Sequence, residues 1–105
     1  MQISNEQFQD IVDRILKVTK PKQIILFGSA ARGDNTECSD IDVLVIVQDG
    51  THRLDTAQDI YRNLLGVKVA VDIVVATTSD IESHHDTPGM VYREALRDGR
   101  VLYAA

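Results

Sequence analysis

The chain has 105 residues, the length of one domain, which excludes a catalytic domain joined to a separate substrate-binding domain. Eleven Lys and Arg against sixteen Asp and Glu give a formal charge of −5, the wrong sign for counterion-driven binding along a nucleic-acid duplex. Cys38 is the only cysteine, which excludes an intramolecular disulfide and a cysteine zinc cage, and neither a signal-peptide core nor an apolar run of the ~18 residues a membrane span needs is present, so a soluble cytoplasmic domain over residues 1–105 is expected.

The first helix opens at Ser4 as N-cap, with Gln7 closing a capping box and Ile3 placed to staple against Phe8. Phe8, Ile11, Val12, Ile15 and Leu16 then repeat at helical spacing and read as a core stripe. Pro21 ends that pattern, and a strand over Gln23 to Phe27 follows. Gly28-Ser29-Ala30-Ala31-Arg32-Gly33 is a tight turn into a short helix, and a polar loop through Cys38 and Ser39 leads to a second strand, Asp40 to Val47. Its period of two puts Ile41, Val43, Val45 and Val47 on one face and Asp40, Asp42, Leu44 and Ile46 on the other.

A second amphipathic helix over Arg53 to Leu65 carries Leu54, Ala57, Ile60, Tyr61, Leu64 and Leu65, and Gly66 is its left-handed terminator. The third strand, Lys68 to Ala76, is apolar apart from Asp72, which shares a face with Ala70, Val74 and Ala76. Ser79-Asp80-Ile81-Glu82 reads as a capping box for one helical turn, followed by a loop holding His84, His85 and Asp86. Thr87-Pro88 opens a last helix that runs to Asp98 and stops at Gly99, and Arg100 to Tyr103 adds a short extended edge. The order α-β-α-β-α-β-α, without linker or repeat, predicts an α/β (α+β) domain.

An ionised Asp in a strand that faces a core costs several kcal/mol unless it is paired, hydrogen-bonded or bound to a metal. Asp40 and Asp42, two apart on one strand, have Cα atoms roughly 6.6 Å apart and side chains on the same side. Asp72 joins them if the second and third strands are neighbours. Oxygen ligands of this kind suit Mg²⁺ or Mn²⁺ rather than zinc, since no His stands at a ligand spacing beside them. Two such ions activate an attacking oxygen and stabilise a leaving one in phosphoryl chemistry. The alternative is that Asp40 is an N-cap or strand-edge residue, Asp42 meets a basic side chain and Asp72 sits at a solvated edge.

The turn at Gly28 offers a second kind of site. Glycine admits an anion close to the backbone, the helix N-terminus adds positive potential, and Ser29 and Arg32 supply a hydroxyl donor and a guanidinium. No Gly-Lys-Ser/Thr follows, which excludes a Walker A loop. By itself Gly-Ser before a helix is only a capped turn, but a phosphate cradle followed within a dozen residues by Ser39-Asp40-Ile41-Asp42 is specific.

Leu26-Phe27-Gly28-Ser29-Ala30-Ala31-Arg32-Gly33, then Ser39-Asp40-Ile41-Asp42-Val43-Leu44-Val45, with Asp72 in a later strand, resembles the minimal nucleotidyltransferases of the DNA polymerase β superfamily over nearly the whole chain. The ending Val91 to Tyr103 is similar to the tail of these proteins. The resemblance implies a polymerase-β-like domain, a small mixed sheet packed with helices. It puts Gly28, Ser29 and Arg32 on the phosphate-binding positions and Asp40, Asp42 and Asp72 on the metal-binding carboxylates, with two Mg²⁺ (or Mn²⁺) and ATP as substrate. It further implies an antitoxin that transfers AMP to a tyrosine of a HEPN-domain toxin, with Asp40 and Asp42 serving the triphosphate and Asp72 helping to deprotonate the incoming hydroxyl. The intact triad points to an active enzyme.

Two other readings compete: an antitoxin that neutralises its toxin by binding alone, and a nucleotidyltransferase acting on a small molecule or RNA. The small-molecule enzymes usually carry an added helical domain, for which there is little room. Cys38, His52, His84 and His85 are expected to be incidental or solvated, and Arg53, Arg62, Arg93, Arg97 and Arg100 to be helix-face or surface charges.

Overall fold

The computed structural model describes residues 5–28, 41–67, 69–84 and 91–105. Its elements are α1 (Asn5–Leu16), β1 (Gln23–Phe27), β2 (Ile41–Val47), α2 (Arg53–Asn63), β3 (Val71–Thr77), α3 (Thr78–His84), α4 (Val91–Asp98) and β4 (Arg100–Ala104). The caps expected at Ser4 and Ile3, and the short helix expected after Gly28, lie outside the described residues.

The sheet runs β3-β2-β1-β4. β1 pairs antiparallel with both β2 and β4, whereas β2 and β3 are parallel, so the sheet is mixed. A parallel pair needs a crossover rather than a hairpin, and α2 is that crossover. The extended segment expected after Gly99 is β4, paired to β1 with a register shift between Ile24 and Ile25.

Alternation along the strands sends two apolar sets to opposite faces. On one face Ile24, Leu26, Ile41, Val43, Val45 and Val47 pack with Ile11, Val12 and Ile15 of α1 and with Ile60 of α2 and Leu64 just after it. On the other, Ile25, Phe27, Leu44, Ile46 and Ala76 pack with Tyr92 and Ala95 of α4. Full burial of a side chain the size of Ile contributes about 2 kcal/mol, so each helix is held mainly by its stripe.

Not every residue assigned to the α2 stripe is inside. Ile60 is buried, but Leu54 and Leu65 are 68% and 77% exposed and Tyr61 is 43% exposed. Leu54 and Leu65 stand at the two ends of the helix, and the seam is carried by Ala57, Ile60 and Leu64. Gly66 has φ +95°, the left-handed terminator expected there. The far side of α2 is tied to α1, where Asn63 Nδ2 donates to the Arg14 carbonyl (2.7 Å) and Arg14 Nη1 donates to the carbonyls of Asn63 (3.1 Å) and Leu65 (3.0 Å).

The capping box of α3 sits two residues earlier than the Ser79 box read from sequence. Asp80 N–H donates to Thr77 Oγ1 (3.2 Å), and Thr77 N–H donates to Asp80 Oδ2 (3.0 Å). Ser79 instead donates its N–H and hydroxyl to the Asp49 carboxylate at 2.8 and 2.6 Å. Arg53 Nη1 donates to Asp80 Oδ2 at 2.9 Å and ties the start of α2 to the same cap, so Arg53 bridges elements rather than covering a helix face. Burial and the Asp80 charge beside it raise the Tyr92 phenol above its ordinary range.

Gly99 shows why α4 and β4 meet where they do. A Cβ there would strike the Ala95 carbonyl and lie 2.6 Å from Ile25 Cγ2 and 3.0 Å from the Leu26 carbonyl, so only glycine lets the chain turn this close to β1.

The bond from the Thr77 amide, with Thr77 Oγ1 and Arg53 beside it, holds the Asp80 carboxyl below the usual carboxylate range. A depressed folded pKa contributes stability above the unfolded pKa and loses it as pH falls through the folded one. Asp80→Asn should therefore cost about 1 kcal/mol at neutral pH. In urea unfolding of both proteins, that gap should close below about pH 4; a gap unchanged at about pH 2 would show that the carboxylate charge is not its source.

Candidate functional site

The site expected from sequence falls at one end of the sheet, on the face that α4 covers further along. β1 ends at Phe27, whose register partner on β2 is Asp42. Gly28 follows with φ +77°, a conformation that side-chain-bearing residues rarely adopt. A Cβ on Gly28 would run into Asp42 Oδ2 and lie 3.3 Å from Asp42 Cγ. The absent side chain is thus the space in which the half-buried Asp42 carboxylate lies. The sequence points Gly28 at an anion; in the structure it makes room for the side chain of an acid.

On its other side β2 pairs in parallel with β3, and Asp42 is in register with Asp72. Ile41 N–H donates to the Ala70 carbonyl at 2.9 Å and starts this ladder one residue before the acidic pair. Adjacent strands lie about 4.8 Å apart and register partners point to the same face, so the two Asp side chains rise side by side. The sequence left open whether the second and third strands are neighbours; they are, and Asp72 stands beside Asp42. Carboxylates about 5 Å apart repel by up to about 3 kcal/mol at an effective dielectric of about 20, and a divalent cation beside both turns that repulsion into attraction. Asp72 is exposed on the edge strand, which leaves this end of the sheet open to a ligand.

Asp40, Ser29 and Arg32 lie outside the described residues, as do Cys38 and His85. Among the described residues no group of three or more His, Cys, Asp or Glu is set to hold a metal, and the pair of Asp42 and Asp72 is what the structure brings together. His52 is on the surface, with Nδ1 3.2 Å from Asp55 Oδ2, and Arg62 pairs with Asp59 at 2.8 Å, both as expected. The Arg100 guanidinium stands 5.9 Å over the Phe8 ring. Arg53, Asp80 and Tyr92 gather near Thr77 at the far end of β3, away from Asp72.

One neighbour of the site carries a role that helical spacing does not show. Tyr61 sits on the α2 stripe, and its hydroxyl accepts a hydrogen bond from Ile73 N–H at 2.8 Å, directly after Asp72 in the chain. The readable signal was a hydroxyl on an otherwise apolar stripe, since a phenol near a core needs a partner.

Comparison with known proteins fits this geometry. The model of the nucleotidyltransferase domain family matches residues 6–102. The chain belongs to that family. A Methanocaldococcus jannaschii protein named "putative protein adenylyltransferase" is 42% identical over 82 residues, 78% of each chain. A solved structure named as a "putative nucleotidyltransferase" from Sulfolobus solfataricus has a TM-score of 0.65 at 21% identity, over 95% of this chain and 79% of that one. A toxin–antitoxin structure with AMP-PNP gives 0.65 at 22% identity, over 93% of this chain and 73% of that one. At such identities the two solved structures establish the fold, a small α+β domain with a mixed four-stranded sheet, as the resemblance implied. The nucleotidyltransferase is therefore an enzyme family member with an acidic pair at the open end of its sheet. No helix among the described residues is long and apolar enough to cross a membrane.

Gly28 and Gly66 both have positive φ, but a Cβ at Gly66 meets nothing within 4 Å. Gly66→Ala is expected to cost about 1 kcal/mol of stability and leave nucleotide transfer intact. Gly28→Ala adds the collision with Asp42 and should lower transfer by about a hundredfold or more, the scale of a misplaced reacting group. Equal activities of the two folded variants would remove Gly28 from the site.

Proposed function

We propose that this nucleotidyltransferase transfers AMP from ATP, with Mg²⁺ or Mn²⁺, to a tyrosine hydroxyl of a HEPN-domain toxin and so acts as its antitoxin. The observation that carries the reading is the register pairing of Asp42 with Asp72 against the space left by Gly28. The relative named a protein adenylyltransferase supports the acceptor class, and the toxin–antitoxin structure with AMP-PNP supports both the nucleotide and the partner.

The donor set fits a hard divalent cation, because both side chains offer carboxylate oxygens on one face and the carboxylate of Asp42 is given its space by glycine. Asp42 and Asp72, with Asp40 two residues before Asp42 in the same sequence motif, are the residues that would hold it. Two ions bound there supply charge to offset the triphosphate and the leaving pyrophosphate. In this reading Gly28 and Ser29 hold a phosphate by backbone and hydroxyl donors, and Arg32 holds a second. The acceptor oxygen attacks the α-phosphorus, the bond from that phosphorus to the bridging oxygen breaks, and pyrophosphate leaves. Asp72, on the exposed edge strand where an incoming protein has access, takes the proton from the acceptor hydroxyl. The formal charge of −5 disfavours a duplex nucleic acid as the acceptor.

The test is label transfer from α-labelled ATP with Mg²⁺, with and without a HEPN-domain protein as acceptor. Label should appear on a tyrosine of the partner and fall by about a hundredfold or more with Asp42→Asn, as for loss of a metal-holding group. Tight complex formation without label would favour an antitoxin that works by binding, and label on RNA or a small molecule would contradict the protein acceptor.

A further inference from the structure

We infer that Tyr61 is a positioning residue for Asp72: its hydroxyl, reaching from α2, clamps the peptide that follows Asp72 and so keeps that carboxylate level with Asp42. The inference rests on the reading of Asp42 and Asp72 as holders of a divalent cation.

The outer edge of β3 sets the problem. Among the described residues β3 has one neighbour, β2, and the parallel ladder uses alternate residues: Ile41 donates to Ala70, so the even-numbered groups of β3 face β2 and the odd-numbered ones face outward. Asp72 is the residue whose backbone faces β2, and its side chain stands near the N-terminal end of an edge strand. Parallel pairs are slightly less stable per residue than antiparallel ones, and an edge strand is held from one side only. Asp72 is therefore held by its ladder bonds to β2 alone, and the peptide that follows it turns its N–H away from the sheet, where another group must hold it.

Tyr61 supplies that restraint. Its hydroxyl accepts from Ile73 N–H at 2.8 Å and donates to the Ile73 carbonyl at 3.4 Å, taking both outward groups of the residue after Asp72. The Asp72–Ile73 peptide is planar, so holding its N–H restrains ψ of Asp72 and with it the direction of the Cα–Cβ bond that carries the carboxylate. The ring is 43% exposed, too open for packing alone to account for a tyrosine here, and the hydroxyl is the part of the side chain with a specific partner. At the other end of β3 the outward Thr77 N–H is taken by Asp80, so the strand is held at both ends by groups from helices. The clamp at Ile73 is the one adjacent to the acidic pair.

Residues that orient metal-holding groups change metal affinity when they are lost, whereas residues that merely stabilise the fold do not. The experiment measures Mn²⁺ affinity of the full chain by the loss of the free-ion electron paramagnetic resonance signal, for wild type, Tyr61→Phe, Asn63→Ala and Asp72→Asn. Asn63 lies on the same helix and bonds α1 rather than β3, so Asn63→Ala matches the loss of one hydrogen bond without touching Ile73. Tyr61→Phe should weaken Mn²⁺ binding by about fivefold, the scale of one lost hydrogen bond, while Asn63→Ala leaves it unchanged. Wild-type affinity in Tyr61→Phe, or the same loss in both variants, would overturn the inference. If Asp72→Asn binds Mn²⁺ like wild type, the carboxylate does not hold the ion and the underlying reading falls together with the clamp. Amide exchange of wild type gives a test that needs no variant: saturating Mg²⁺ should slow exchange at Ile73, because coupling between clamp and ion is reciprocal, and an unchanged rate would also overturn the inference.

Discussion

The parallel pairing of β2 with β3 is the constraint on which both the fold and the site depend. Parallel neighbours cannot be joined by a hairpin, so α2 must cross between them, and packing that crossover supplies Ile60 and Leu64 to the core. The register of the same pair sets Asp42 level with Asp72. A slip of one residue would turn the side chains of β3 over, putting Asp72 against α2 and taking Ile73 and Val75 out of their cluster, so the apolar core enforces the placement of the acids. Stability and chemistry are thereby linked through one register.

The two ends of the sheet divide the work. Near Thr77 the polar groups satisfy one another: Asp80 accepts from Thr77 and Arg53, and Asp49 accepts from Ser79. Those carboxylates are held in their charged form by donors within the chain, and hydrogen bonding is the first cause at both. At the opposite end Asp42 and Asp72 are set side by side in register, and Gly28 leaves the space that the Asp42 carboxylate fills. Gathering like charges serves no packing purpose, and the arrangement gains stability when a cation or a cationic ligand arrives. A family of nucleotidyltransferases is the context in which that geometry has a use.

Much of this was legible in the sequence because it rests on period and punctuation. The alternation in Ile41-Asp42-Val43-Leu44-Val45 separates the two faces of β2, and β1 spans the residues expected, Gln23 to Phe27. Gly66 ends its helix in a left-handed turn that side-chain-bearing residues rarely adopt, and Gly99 ends its helix where the close approach to β1 leaves no room for a Cβ. What one-dimensional reading lacks is the identity of the partner. Thr77 and Ser79 are both good caps for Asp80-containing turns, and the choice is made by Asp49, thirty residues away, which captures Ser79. Spacing puts Tyr61 on the α2 stripe, and only the edge position of β3 shows where its hydroxyl bonds. The joining of Asp72 to Asp42 depended likewise on strand order, which the chain order α-β-α-β-α-β-α left open.

The most direct test of the central claim, that Asp42 and Asp72 hold a divalent cation between neighbouring strands, is a crystal structure of the protein soaked with Mn²⁺ and an unreactive ATP analogue, read by anomalous scattering. An anomalous peak is expected within about 2.2 Å of carboxylate oxygens from both residues, the distance of a small hard cation from its ligands. A peak on the nucleotide phosphates alone, with Asp42 and Asp72 turned away from it, would contradict that claim.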